Sequence, residues 1–254
     1  MRGWQVWLLF IVVSAGLPAW AGEAYACAET RTPKFLDGRF TEWHEPTIVL
    51  DGWCWRAEAG ATPIYGGPLD CSATVRLAWD AKRLYLAIAV VDDALKPAKK
   101  TPADTGDAVI LRFVGDAKDA VPTEFVLAWG SPVTLQRREA DGTLGTAPGA
   151  LVGAARATLP LPVTPLPRET GKPAPTSITK AWYEVALPWT ALPGLTPKRD
   201  ATFGLEVQVL DRDGDALRGR LRWHGAPAAP RVNGLGAVRL TAPLPAAPKG
   251  KKLP

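Results

Sequence analysis

Eleven tryptophans stand against four tyrosines in this 254-residue chain, and their placement gives the first chemistry to consider. An indole is flat and apolar on its faces and carries one N–H at its edge. It can cover the C–H face of a sugar ring while neighbouring amides and carboxylates bond the hydroxyls. Trp53 and Trp55 flank Cys54 in a loop, and Trp129 ends an apolar run just before Gly130-Ser131-Pro132. These three are the expected sugar-binding residues. For Trp53 and Trp55 the competing reading is a small core packed over a disulfide, and Trp223 stands between the two roles.

Acidic residues form the second set. Asp92-Asp93 closes an apolar stretch, Asp104 and Asp107 precede another, and Asp211, Asp213 and Asp215 crowd one turn. Hard cations such as calcium take several oxygens from loops of this kind. The stretch Asp211-Arg212-Asp213-Gly214-Asp215 fails as an EF-hand, because its glycine is displaced to Gly214 and Arg222 occupies the closing Glu position. It reads instead as a hairpin turn with Asx-type hydrogen bonds.

Catalysis finds little to work with. His44 and His224 are the two histidines, and neither lies in a G-x-S-x-G or H-E-x-x-H context. A glycosidase needs two carboxyl groups facing across a cleft, and spacing alone does not pair Glu42, Glu124, Glu184 or Asp107. The chain is expected not to be an enzyme.

The chain's beginning suggests a compartment. Trp4 to Gly16 is an apolar run behind Arg2, followed by small-residue sites at Ala19-Trp20-Ala21 and Ala24-Tyr25-Ala26. That is the pattern of a secretory signal over residues 1–26, cleaved after Ala21 or Ala26. The expected destination is periplasmic, extracellular or anchored at a bacterial outer membrane. In an oxidising space Cys54 and Cys71 are expected to pair as a disulfide. Cys27 follows a loose lipobox, so a lipid on Cys27 is the one membrane attachment considered. The formal charge of +5 is scattered and partly sits in Lys249 to Lys252. Nothing interleaves basic and aromatic residues as a nucleic-acid surface does. A monomer is expected.

The elements that must position these residues are strands. Val75, Leu77 and Trp79 alternate with polar neighbours over Ala73 to Trp79, and Leu84 to Val91 is apolar on both faces around the turn Asp80-Ala81-Lys82-Arg83. Further strands are predicted over Ala108 to Val114, Thr123 to Trp129, Val133 to Arg137, Trp182 to Leu187, Phe203 to Leu210, Leu221 to Trp223 and Gly236 to Leu240. Helical turns are predicted at Trp189 to Leu192 and Asp92 to Leu95. Short strands with Gly, Pro and Asp turns define an all-β, two-sheet antiparallel β-sandwich in one domain, residues 27–241. A proline-dense excursion interrupts it at 159–179, and a disordered basic tail follows over 242–254.

The order of short motifs resembles the family 9 carbohydrate-binding modules and their DOMON-like relatives, a jelly-roll-like sandwich. The matching residues are Leu36-Asp37-Gly38 with Trp43, Ala73 to Asp80, Leu84-Tyr85-Leu86, Val90 to Asp93 and Gly106 to Val109. They continue through Tyr183-Glu184-Val185, Pro188-Trp189, Phe203-Gly204, Asp211 to Gly214 and Leu235-Gly236, so the resemblance spans about Phe35 to Leu240. It implies binding of a polysaccharide or oligosaccharide, with Trp43, Trp79 and Trp189 plugging the sandwich. It also implies calcium near Asp92, Asp93 or Asp107, as the sole cofactor to consider. Ile110 departs from the pattern, standing where the family commonly has an acidic residue. Some DOMON-like relatives hold b-type haem between Met and His or Lys. Met1 is the single methionine and leaves with the signal, which removes a Met ligand from the mature chain. A structural envelope module without a sugar site is the remaining alternative.

Overall fold

The computed structural model describes residues 23–59, 65–97, 105–117, 119–130, 132–160, 177–213, 216–225 and 230–245. The expected signal segment up to residue 22, the centre of the proline-dense excursion (161–176) and the tail from 246 lie outside them. Among the described residues fifteen strands run in chain order: β1 Tyr25–Glu29, β2 Ile48–Leu50, β3 Trp55–Ala57, β4 Cys71–Trp79, β5 Arg83–Asp92, β6 Ala108–Val114, β7 Thr123–Ala128, β8 Thr134–Arg138, β9 Leu144–Thr146, β10 Leu151–Pro160, β11 Ser177–Pro188, β12 Thr202–Asp213, β13 Ala216–Trp223, β14 Arg231–Val232 and β15 Leu235–Thr241. Short 3-10 turns lie at Gly52–Cys54 and Trp189–Ala191.

Hydrogen bonding follows one path, β10-β11-β5-β4-β1-β15-β12-β6-β7-β8-β9, with β2 on β4, β13 on β12, β3 on β13 and β14 on β15. The path folds over on itself to make two layers. Val75, Leu77, Leu86, Ile88 and Val185 from one layer meet Leu111, Phe113, Phe125, Leu205 and Val207 from the other in a single cluster. Trp79, Leu86, Ile88, Val90, Leu111, Phe113, Val207 and Val209, at alternate positions of their strands, are all buried there.

The expected two-sheet antiparallel β-sandwich is present, with one parallel strand added to it. The layers are stitched together by β1, which runs parallel to both β15 and β4. The remaining ladders are antiparallel, and the β4–β5 hairpin turns where predicted. Asp80 Oδ1 accepts the Lys82 and Arg83 backbone N–H groups at 2.7 and 2.8 Å, an Asx turn that fixes the register.

Other boundaries move as well. The predicted helical turn at Asp92 to Leu95 is not one, because Asp92 still belongs to β5 and the chain then bends. The ends of the expected excursion at 159–179 are strand: Leu159 pairs with Ile178 and Pro160 with Ser177. The sandwich begins before residue 27, since β1 starts at Tyr25.

The outer face of β4, β5 and β11 is covered by a strap, residues 30–46. Trp43, with Leu36 and Phe40 beside it, packs on Ala78, Tyr85, Ala87 and Ala186. This is why Leu84 to Val91 is apolar on both sides. The outer face of the second layer instead carries an alternating charge row across neighbouring strands. Arg112 on β6 joins Glu206 on β12 to Glu124 on β7, and Arg138 on β8 reaches the same Glu124. Opposite charges facing across strands satisfy one another there.

Candidate functional site

The loop from Asp51 to Trp55 decides which indole faces outward. Asp51 caps the 3-10 turn by accepting the Trp53 N–H, a bond of 3.3 Å. Cys54 is buried and anchors the turn from inside, so the two residues flanking it diverge. Trp53 is 45% exposed. Trp55 opens β3, pairs in register with Leu221 of β13, and lies half-buried against the Tyr65 ring with centroids 5.3 Å apart. Its indole nitrogen is buried without a hydrogen-bond partner. Trp55 therefore serves packing, and Trp53 is presented.

Beside Trp53 is an apolar hollow of about 130 Å³. Its walls are Trp53, Trp223 at the end of β13, Ile48 and Val49 of β2, Tyr25 and Ala26 of β1, and Thr47, Pro46, Glu23 and Ala24. Val49 is exposed and Trp223 buried, so the hollow grades from an open rim to a closed wall. Polar groups are few: the Glu23 carboxylate, the Thr47 hydroxyl, which accepts from Arg76 at 3.0 Å, and the Tyr25 hydroxyl, which donates to the Pro46 carbonyl. Burial pushes the Tyr25 phenol far above its ordinary range, so it stays a neutral donor. Two indoles on one small apolar hollow with a polar edge can hold a ring that has apolar faces and a polar rim.

Trp129 does not join this site. It is 8% exposed, its edge meets Tyr183 at 5.8 Å, and the Arg156 guanidinium covers its face at 5.3 Å. The expectation of an exposed sugar-binding ring at Trp129 is overturned, because β10 lays a long cationic side chain across it. Trp43, Trp79 and Trp189 are buried as the resemblance implied. Each indole N–H has an acceptor: Glu184 Oε1 at 2.8 Å, the Thr241 carbonyl at 3.2 Å and the Asp80 carbonyl at 2.9 Å.

The expected Cys54–Cys71 disulfide is also corrected. Both cysteines are buried free thiols, as is Cys27. The Cys54 thiol donates to the Asp51 carbonyl at 3.1 Å. The loop between them is tied by Tyr65, which stacks on Trp55 and donates to the Cys71 carbonyl at 2.7 Å. Burial pushes the Cys54 thiol up to about 11 and raises Cys71 as well, so neither is a thiolate at neutral pH.

Of the expected calcium set, Asp92 and Asp107 are buried and Asp93 half-buried. Asp107 accepts the Arg212 N–H at 2.8 Å and the Lys96 N–H. Asp92 accepts the Ala94 N–H at 2.6 Å with one oxygen, while the other is buried and unpartnered. Among the described residues no three Asp, Glu, His or Cys side chains gather closely enough to hold one ion; Asp104 and Asp215 lie outside them. Burial, with Asp107 nearby, pushes the Asp92 carboxyl well above the usual carboxylate range.

The carboxylates weighed for catalysis are engaged structurally. Glu124 sits between two arginines, Glu184 holds the strap, and Glu42 accepts the Phe35 N–H at 3.1 Å. His44 is exposed, and burial lowers the pKa of half-buried His224.

No family model matches the sequence, and no curated protein matches it. Solved structures do. A structure described as "a putative carbohydrate-binding protein" from Bacteroides uniformis superposes with a TM-score of 0.52 at 12% identity, covering 86% of this chain and 99% of that one. A family 9 carbohydrate-binding module from Caldicellulosiruptor kristjanssonii in complex with cellotriose gives 0.48 at 16% identity, covering 88% and 100%. The same family's module from that organism in complex with glucose gives 0.48 at 16%, covering 90% and 100%. At these identities the likeness concerns the fold. The chain shares the sandwich of the Bacteroides uniformis protein and resembles the family 9 modules.

Proposed function

We propose that this chain is an exported, non-catalytic carbohydrate-binding protein that takes a sugar ring into the hollow between Trp53 and Trp223. The observation that carries the reading is the pairing of an exposed indole and a walled one on a single apolar hollow. Its volume is below the several hundred Å³ typical of sites that engulf a whole ligand. That scale favours one pyranose ring, held by its face, over a long stretch of polymer. A fold shared with a protein described as "a putative carbohydrate-binding protein" supports the same direction.

Titrating the mature chain with glucose, cello-oligosaccharides and soluble polysaccharides, read by tryptophan emission, tests the proposal. At least one sugar is expected to shift the emission, and Trp53→Ala to weaken binding by about tenfold or more, the size of an interfacial aromatic anchor. If no sugar perturbs the emission, the binding reading is wrong and a structural envelope module replaces it.

A further inference from the structure

The sequence offers two small-residue cleavage sites, Ala19-Trp20-Ala21 and Ala24-Tyr25-Ala26, and the second would make Cys27 the first residue of the mature chain. The fold separates them. Resting on the export reading above, we propose that the leader is removed after Ala21, and that Cys27 remains an unmodified thiol inside the protein rather than a lipid-bearing N-terminus.

Cleavage after Ala26 would discard two residues that the sheet uses. Tyr25 pairs with Val238 and Ala26 with Arg239 in the parallel ladder to β15. The Tyr25 hydroxyl also donates to the Pro46 carbonyl and accepts the Leu77 N–H at 3.2 Å, tying β1 to the end of the strap and to β4 at once. Cys27 itself is 0% exposed and belongs to the main core cluster. It pairs with Leu240, and its carbonyl accepts from the Thr241 hydroxyl at 3.2 Å. A lipoprotein cysteine carries a diacylglyceryl thioether on Sγ and an acyl amide on its nitrogen, and both must reach a bilayer. A thiol packed between two layers, in the strand that joins them, cannot offer either group without leaving the sheet. Cleavage after Ala21 keeps the whole of β1. It also leaves Glu23 and Ala24 at the head of the mature chain, where they line both the Trp53 hollow and a shallower one beside Arg231 and Arg239.

The full chain with its own leader and a C-terminal affinity tag, made in a Gram-negative host, tests this. The protein is denatured, its cysteines are alkylated and its N-terminal peptide is read by mass spectrometry. The expected result is an N-terminus at Gly22 and an alkylated Cys27 without acyl mass. A mature chain starting at Cys27, lipidated or not, overturns the proposal while leaving export intact. A full-length chain retained in the cytoplasm overturns export and the proposal together. Two variants give an independent reading on total denatured cell protein, where folding does not matter. Ala21→Arg is expected to accumulate precursor, and Cys27→Ser to be processed like the parent; the reverse pattern overturns the assignment.

Discussion

Glu184 joins stretches of chain that are 146 and 141 residues apart: one carboxylate oxygen accepts the Gly38 N–H at 2.6 Å and the other the Trp43 indole N–H at 2.8 Å. Glu184→Gln keeps one acceptor but turns an amide N–H toward a second donor. Loss of about 1–3 kcal/mol is expected in denaturant unfolding, the cost of a buried donor left unmet. Asp92 makes the opposite case. Its folded pKa is raised above the unfolded value, so the stability it contributes is present below about pH 3.9 and is lost as pH rises through the folded pKa. Asp92→Asn is therefore expected to raise the melting temperature at pH 7 and to give no gain near pH 4. An equal shift at both values would refute the assignment. The tryptophans mark where sequence reading stops at this scale. Trp53→Ala is expected to change stability by less than about 0.5 kcal/mol, whereas Trp129→Ala should cost about 3–5 kcal/mol. Chemical type made both candidates. What separates them is a guanidinium from β10 lying over one ring, a contact between Trp129 and Arg156 that no local pattern encodes. Trp223 joined the site for the same reason, through neighbours contributed by β1 and β2.

At the scale of elements, strands with one buried face were legible. Ala108–Val114 matches its predicted range, and β4, β5, β12 and β15 differ only at their ends. The strands missed had no alternation to read. β10 lies at the end of the strand path, paired among the described residues with β11 alone, and its residues are mostly half-exposed or exposed, so its Gly, Ala and Arg show no period. β1, with the sequence Tyr-Ala-Cys-Ala-Glu, looks like a cleavage site because small residues serve both purposes. The glycine in β10 has a specific use. A Cβ built on Gly153 would stand 1.9 Å from the Leu36 carbonyl oxygen, so the strap can lie this close to β10 only over a glycine. Gly153→Ala is expected to lift the strap. It should cost about 1–3 kcal/mol and open residues 30–46 to limited proteolysis in the native state. A variant as resistant as the parent would show that the strap is held elsewhere.

For the whole molecule, two layers are one sheet because β1 lies between β4 and β15. A chain beginning at Thr30 would keep every antiparallel ladder and lose this link. It is expected to unfold without a cooperative transition by circular dichroism, while a chain beginning at Gly22 melts sharply. A sharp melt of the shorter chain would mean that the layers hold together by core packing alone.

That position of β1 also sets a clock on synthesis. A ribosome releases β1 first and β15 last, and 214 residues separate Cys27 from the Thr241 hydroxyl that bonds its carbonyl. No nascent fragment can finish the sheet, however long it waits, until the last strand is free. Until then β1 presents an unsatisfied edge of the kind that recruits strands from other chains. Closure between such distant partners is slow. The chain must therefore be held open, or kept apart from its own copies, for the whole time it takes to make.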